Sequence, residues 1–272
     1  MSGLFPRVSR RTFAWCDWVG VLALTACSPA TETAPGELLG DELVVDAGMH
    51  VDAGARSDAA LGAANARPLA ACAALGGDAP RTIGEVVDRI NALPAPGTLL
   101  CFVASLPRPL SLVASSSPSS AQPSSGRNNP RIFIVSGTLS MSVVPDGTGR
   151  NLLEFGEYVT PLRSTKGELA FPLTRPVAHD QPYQDPPDEQ TVTLCGLCHT
   201  GQTPHPTITG AFVSDALRPA RTYEMTLADV QKVRADCDTL QSNTPRCEML
   251  RALFDYGEVK QGAFDEAIKQ GF

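Results

Sequence analysis

Apolar residues at helical spacing mark the beginning of ordered structure in this sequence. Thr82 and Glu85 form the pattern of a capping box, and the apolar side chains that follow recur every three or four residues. Pro94 comes directly after this pattern, and proline does not continue a helix. The sequence therefore predicts a helix over 83–93, and we expect the folded part of the chain to begin near Pro68.

Short runs rich in apolar and β-branched residues fill the middle of the chain and predict strands. These runs lie at 99–104, 110–114, 131–144, 151–155 and 168–173. The sequence Pro-Asp-Gly-Thr-Gly at 145–149 has the composition of a turn. We therefore expect a hairpin between Ile132 and Phe155.

The pattern becomes helical again towards the C-terminus. Thr226 precedes one amphipathic segment, and Thr244 with Pro245 precedes another, which we expect to end at Gly257. A last short helix is predicted over 263–270. The elements together indicate an α+β fold, in which a β-rich middle region is followed by a helical C-terminal region.

The N-terminus has the three parts of an export signal. Three arginines precede an apolar run at 18–26, which is far shorter than the roughly 20 residues of a membrane-spanning helix. The run ends Leu-Thr-Ala-Cys at Cys27 and resembles the lipobox of bacterial lipoproteins. The resemblance implies cleavage after Ala26 and a lipid on Cys27. The expected location is the cell envelope, anchored to the inner or outer membrane and facing the periplasm or the cell surface.

Composition divides the chain into four expected segments. A signal peptide occupies 1–26, a lipidated cysteine with a flexible Ala/Gly/Asp-rich tether occupies 27–67, a β-rich domain occupies 68–190, and a helical region occupies 191–272. The Arg10-Arg11 pair also resembles a twin-arginine signal, so the general secretory route and the twin-arginine route both stay open.

Net charge and missing motifs narrow the function. The chain carries a formal charge of −7, and no stripe of Lys and Arg runs through its sequence. Nucleic acid is therefore not an expected partner. The sequence contains no phosphate-binding loop, no Gly-x-Ser-x-Gly elbow and no His-Glu-x-x-His motif.

One short cysteine and histidine motif indicates a specific chemistry. Cys195-Gly-Leu-Cys198-His199 resembles the haem-attachment site of c-type cytochromes. The resemblance implies one haem c, bonded through thioethers to Cys195 and Cys198, with His199 as the proximal iron ligand. The region at 191–272 is then a haem-binding region. The resemblance covers five residues, and a Pro-rich stretch precedes the motif where the family has a helix.

The sixth iron ligand is less specified than the proximal one. Small cytochromes of this family place a methionine some tens of residues after the motif, and Met225 lies 26 residues after His199 in a segment that precedes a helix. We take Met225 as the expected distal ligand. Met249, His205, His179 and an open site are the alternatives.

Other chemistries use the same cysteine spacing. Cys195 and Cys198 are also compatible with disulfides, with a zinc site that includes a histidine and a further thiol, and with a thioredoxin-like redox pair. A thioredoxin-like pair is normally surrounded by a βαβ pattern, which this sequence lacks.

The remaining cysteines predict disulfides. Of eight cysteines, one lies in the signal, one at the lipid anchor and two in the haem motif. The last four allow three connectivities. We predict Cys72–Cys101 and Cys237–Cys247, because each pair lies within one local region of the chain.

These observations lead to two hypotheses of different classes. The first is a membrane-tethered monohaem c-type cytochrome-like protein that transfers electrons to and from an unidentified redox partner, acting as an electron carrier rather than an enzyme. The second is a haem-free, disulfide-stapled envelope lipoprotein that acts as a binding or structural module. An absorption spectrum separates the two.

Overall fold

Side-chain caps mark where two of the three longest helices begin. The computed structural model of the chain describes residues 69–120, 122–184, 196 and 198–271. Its helices are α1 (Ala70–Ala73), α2 (Ile83–Ala92), α3 (Leu99–Ser105), α4 (Leu227–Thr239) and α5 (Pro245–Phe254). Thr82 and Glu85 form the capping box of α2, as predicted. Thr226 and Asp229 form a second capping box at α4.

Most strands belong to one sheet. They are β1 (Leu110–Ser115), β2 (Arg131–Ser136), β3 (Leu139–Val143), β4 (Leu152–Thr160), β5 (Arg163–Ala170), β6 (Thr203–Pro204), β7 (Phe212–Asp215), β8 (Leu217–Arg218), β9 (Glu224–Met225), β10 (Val259–Gln261) and β11 (Lys269–Gln270). The large sheet has the order β10-β1-β2-β3-β4-β5-β7-β6, and β9 pairs with β1. The strands β8 and β11 form a separate parallel pair.

An antiparallel meander from β1 to β5 forms the centre of the large sheet. The strands β7 and β6 extend it beyond β5, while β9 and β10 close the edge of β1. The sheet therefore takes strands from both sides of the Pro-rich stretch at 176–187.

The helices cover one side of this sheet. Strand residues at alternate positions, including Leu112, Ile134, Met141 and Phe155, are buried together with apolar residues of every helix in one core cluster. Because side chains alternate between the two faces of a strand, the residues between them point to the opposite side. We call the two sides the helix-facing side and the helix-free side. The fold is α+β, with a β-rich middle region and helices near the C-terminus, as predicted.

Three predicted elements differ from the structure. The run at 99–104 forms α3, not a strand, because Thr98 accepts a hydrogen bond from the N–H of Cys101 and caps a helix. The run at 131–144 is two strands, β2 and β3, joined by a turn at Gly137. The segment 263–270 is not a helix, because its last residues pair with β8.

Both predicted disulfides are present. Cys72–Cys101 joins α1 to α3, and Cys237–Cys247 joins α4 to α5. All four cysteines are buried in the core cluster on the helix-facing side. In the parts of the chain that the structure describes, no helix is both long enough and apolar enough to cross a membrane.

Candidate functional site

The Cys-x-x-Cys-His motif precedes β6. Cys195 lies outside the described residues, whereas Gly196 and Cys198 are in helical conformation. Cys198 is exposed and its thiol is free. The alternative in which Cys198 pairs with Cys237 or Cys247 is therefore excluded, because those two cysteines bond to each other.

His199 is held by the end of β7. Its Nδ1–H donates to the carbonyl oxygen of Asp215 over 3.0 Å. Two further hydrogen bonds connect Asp215 to Thr200, the residue after His199. The N–H of Asp215 donates to the Thr200 carbonyl over 2.9 Å, and the Thr200 hydroxyl donates to the Asp215 carboxylate over 3.0 Å. Three hydrogen bonds therefore fix the histidine ring and the backbone that carries it.

The Asp215 carboxylate also forms ion pairs with residues of two other strands. Arg163 at the start of β5 lies 3.5 Å from it, and Lys269 of β11 lies 3.3 Å from it. The hydrogen bond from Thr200, and then the contact with Lys269, lower the pKa of Asp215 below its usual value. Asp215 is therefore ionised at neutral pH and holds these groups together.

His199 is neutral at neutral pH. Burial lowers its pKa to about 4, and the nearby charge of Lys166 acts in the same direction, while the hydrogen bond to Asp215 opposes them. A carbonyl oxygen only accepts, so the proton of the neutral ring is on Nδ1. Nε2 then carries a lone pair, and no described residue donates a hydrogen bond to it. A neutral imidazole anchored in this way is the usual form of a histidine that binds a metal.

His199 borders a cavity on the helix-free side of the sheet. The cavity has a volume of about 70 Å³. Its walls combine the apolar residues Phe133, Phe155, Ala216, Leu217 and Phe264 with polar residues of β2 to β5. They include Arg131, Ser140, Ser142, Glu154, Gly156, Tyr158, Ser164 and Lys166. Phe264 packs edge-on against Phe133, with ring centroids 5.3 Å apart, and so covers one end.

A hydrogen-bond network forms one wall of this cavity. Arg131 forms an ion pair with Glu154 and donates to Ser142 over 2.9 Å. Ser142 in turn donates to the side-chain oxygen of Gln122 over 2.8 Å. Gln122 is completely buried and donates to the carbonyl of Leu152. Buried polar groups are tolerated where they are paired, and this wall satisfies that condition.

The other predicted iron ligands lie elsewhere. Met225 pairs with Ala114 in the sheet and belongs to the core cluster on the helix-facing side, and it does not line the cavity beside His199. The sheet therefore separates Met225 from His199, and the structure does not bring the predicted pair of ligands together. Met249 is also in the core cluster.

The two alternative histidines are engaged in other contacts. Nδ1 of His205 accepts from the backbone N–H groups of Thr207 and Ile208, so this ring stabilises its own turn. His179 is exposed and lies 2.7 Å from Asp88. Neither histidine lines the cavity beside His199.

The chemistry of the described donors fits a c-type haem. Cys198 offers a free, accessible thiol, and His199 offers a neutral imidazole. A cavity of about 70 Å³ does not hold a porphyrin ring, so the described residues would supply bonds to a haem without enclosing it. The described ranges contain no group of three or more His, Cys, Asp or Glu residues placed to hold a metal ion, and Cys195, which the zinc alternative includes, lies outside them.

The sequence analysis did not identify the residues around His199. Lys166, Tyr158 and Asp215 carry no motif, and only folding places them together. One sequence signal was available: Arg131, Ser140 and Ser142 stand at alternate positions within strands whose other positions are apolar, and all three are buried.

Cys27 and the tether lie outside the described residues. No protein-family model, no curated protein and no solved structure matches this chain.

Proposed function

We propose that this chain is a membrane-tethered monohaem c-type cytochrome that passes electrons to an unidentified redox partner in the cell envelope. The observation that carries the proposal is the exposed free thiol of Cys198 beside a neutral, carbonyl-anchored His199. Cys195 and Cys198 would form the thioethers, and His199 would bind the iron from one side. The haem, when bound, supplies a one-electron redox centre.

The chain's own residues prepare His199 for this role. The carbonyl of Asp215 selects the tautomer that leaves Nε2 able to bind iron. The hydrogen bonds between Thr200 and Asp215 hold the ring in one position, so little order has to be gained on binding. Such outer contacts also increase the basicity of the ligand.

Production of the full-length chain in a host with haem c maturation tests the proposal. We expect a coloured protein whose haem stays attached after acid–acetone extraction. Cys198→Ser should lose stable attachment, because only one thioether can then form. His199→Ala should change the spectrum strongly, because the proximal ligand is gone.

A matched control uses the exposed histidine. His179→Ala removes an imidazole of the same type that contacts Asp88 and does not line the cavity. We expect it to leave haem content and spectrum unchanged. A colourless wild-type protein, made beside a known c-type cytochrome that is coloured in the same cells, contradicts the proposal. That outcome favours the haem-free, disulfide-stapled module, which the two buried disulfides support.

The position of Met225 permits a separate test of the iron ligands. Because Met225 is packed on the opposite side of the sheet from His199, we expect Met225→Ala to leave the haem spectrum unchanged. The substitution should instead lower the free energy of unfolding by about 2–5 kcal/mol, as for other buried Met side chains. Loss of a spectral band in Met225→Ala without loss of stability would show that the side chain binds iron.

Lipidation provides the membrane attachment in this proposal. Cys27→Ser should leave the protein unprocessed or release it from the membrane, because Cys27 is the residue at the cleavage junction of the lipobox-like sequence. The measurement is the distribution between membrane and soluble fractions. A processed Cys27→Ser protein that stays in the membrane fraction would contradict lipid anchoring.

A further inference from the structure

A second and larger cavity lies on the helix-free side of the sheet, next to the one that His199 borders. Its volume is about 460 Å³, and Tyr158 and Phe264 line both cavities. Most of the other walls are apolar and come from β2, from the end of β4 with the turn after it, and from the C-terminal segment at 262–271, through Val135, Val159, Pro161 and Ile268. A mainly apolar cavity of several hundred Å³ is typical of sites that bind a small organic molecule.

Asp265 is the only charged residue among the described residues that line this cavity. Its carboxylate accepts from the N–H of Ala267 over 2.9 Å, and its carbonyl accepts from the N–H of Ile268 over 3.1 Å, so a tight turn fixes its position. None of the described residues forms an ion pair with Asp265. Arg131 and Lys166 line only the adjacent cavity. The larger cavity therefore has one negative charge without a paired cation.

The next residue in the chain is a carboxylate in the opposite situation. Glu266 pairs with Arg221 over 2.9 Å and does not line this cavity. Arg81 lies beside Gly137 at one end of the cavity, and it does not line the cavity either. The two consecutive carboxylates therefore differ in one respect that matters for binding: Glu266 is paired outside the cavity, and Asp265 is unpaired inside it.

Two aromatic rings stand in the same cavity as this carboxylate, those of Tyr158 and Phe264. Burial, followed by the negative charge of the nearby Asp265, raises the pKa of Tyr158 to about 12, so the phenol is neutral at physiological pH. Within the described ranges its oxygen accepts no hydrogen bond. The faces of aromatic rings attract cations. A carboxylate, two aromatic rings and a phenol oxygen are together the groups that recognise an organic cation.

We propose that this cavity binds an organic ammonium ion that carries an apolar group. The carboxylate of Asp265 pairs with the ammonium, the rings of Tyr158 and Phe264 stabilise the same charge, and the apolar walls cover the rest of the molecule. The formal charge of −7 on the whole chain favours the approach of a cation. The inference goes beyond the proposed function and does not depend on it, because the haem is not one of the binding groups.

Three probes that share one aromatic ring and differ in charge test the inference: benzylammonium, benzyl alcohol and benzoate. Ligand-detected NMR titration of the purified chain gives their dissociation constants, at low ionic strength because salt screens exposed charges. We expect saturable binding of benzylammonium, roughly fivefold tighter than that of benzyl alcohol, the effect of one partly exposed charge pair with a cation–π contact. Benzoate should bind more weakly than the alcohol, because Asp265 repels it.

Substitutions in the C-terminal segment locate the binding. Asp265→Asn removes the charge and keeps a side-chain oxygen that accepts from Ala267. It should weaken benzylammonium binding to the level of benzyl alcohol and leave the alcohol unchanged. Phe264→Leu should weaken benzylammonium binding roughly two- to fivefold through the lost ring. Glu266→Gln is the matched control, because it removes a carboxylate one residue away that lies outside the cavity, and it should bind as the wild type does.

Three results would overturn the inference. One is the absence of benzylammonium binding at millimolar concentrations, and another is equal binding of the ammonium and the alcohol by the wild type. The third is an equal loss in Asp265→Asn and Glu266→Gln, which would mean that the general charge of the surface attracts the probe. Phe264→Leu and the three probes on the wild type decide the question if Asp265→Asn does not fold. Titration of preparations with and without haem keeps the two proposals separate, because haem attachment is measured independently by absorption.

Discussion

The two sides of the large sheet are built from different chemistry. On the helix-facing side, alternate strand residues pack against α1 to α5 in an apolar core that also contains both disulfides. On the helix-free side, the intervening residues include Arg131, Ser140, Ser142 and Ser164, each less than 10% exposed, beside the buried Phe133. Burying apolar surface stabilises a fold, whereas burying polar groups costs free energy unless every one is paired. The stability of this fold therefore comes mainly from the helix-facing side, and the candidate chemistry lies on the helix-free side.

Unpaired buried polar groups occur on both sides of the sheet, and the hydroxyl of Thr165 in β5 is one on the helix-facing side. The hydroxyl of Ser214, next to the Asp215 anchor in β7, is buried and has no partner in the described part of the chain. The pairing of Ser214 with Ser164 brings it close to the cavity wall.

The largest effect is expected in the core of the helix-facing side. Phe102 is fully buried in α3, and Phe102→Ala should lower the free energy of unfolding by about 3–5 kcal/mol through lost burial and a new cavity. Leu240→Ala, at a residue that is 68% exposed, should change it by less than about 0.5 kcal/mol. Denaturant unfolding monitored by circular dichroism measures both. Similar losses in the two variants would contradict the assignment of the core.

The contribution of each disulfide to the free energy of unfolding should increase with the length of chain that it closes. Removal of Cys72–Cys101, with a sequence separation of 29, should lower the free energy of unfolding by about 3.5 kcal/mol on chain entropy. Removal of Cys237–Cys247, with a separation of 10, should lower it by about 2.7 kcal/mol. Double Cys→Ala variants in denaturant unfolding give the order. The reverse order would mean that native packing, rather than loop closure, sets their contributions.

A smaller and different effect is expected from the ion pair on the helix-free side. Arg131→Met leaves Glu154 without its main partner and should lower the free energy of unfolding by about 2 kcal/mol, below the range for a fully buried pair because both side chains keep some exposure. Replacing both residues, with Arg131→Met and Glu154→Leu, should recover most of this loss. The exposed pair Arg221–Glu266 serves as the control and should contribute less than about 0.5 kcal/mol. A double variant as unstable as Arg131→Met would show that the loss comes from the missing pair itself and not from an unpaired Glu154.

The smallest expected effect is a fall in the free energy of unfolding at alkaline pH. The pKa of Tyr158 is about 12 in the folded chain and about 10 when unfolded, so the folded state keeps a proton that the unfolded chain loses. Stability should therefore fall as pH rises from about 10 to 12. Tyr158→Phe should reduce this slope, and Tyr183→Phe on the other side should reduce it similarly. Unfolding free energies at pH 9, 10 and 11 provide the comparison, and an unchanged slope in both variants would contradict the pKa directions.

The sequence predicted local features well where one short pattern decides the structure. The capping box placed α2, Thr226 placed the start of α4, and Thr244 with Pro245 placed the start of α5. The run at 99–104 failed because a continuous apolar segment has no period that distinguishes a buried strand from a buried helix. The Thr98 cap and the disulfide from Cys101 to α1 favour the helix.

The sequence by itself determined the α+β composition, the main helices, the local disulfides and the Cys-x-x-Cys-His motif, since each of these depends on neighbours in the chain. Only the tertiary structure decided which side of the sheet each residue occupies. It placed Met225 under the helices and His199 on the other side, although Met225 lies only 26 residues after His199 in the sequence. It also joined His199 to Asp215, and Lys166 to the cavity, through strand pairing. Strand order brings together residues that are distant in the sequence, and no local pattern encodes that order.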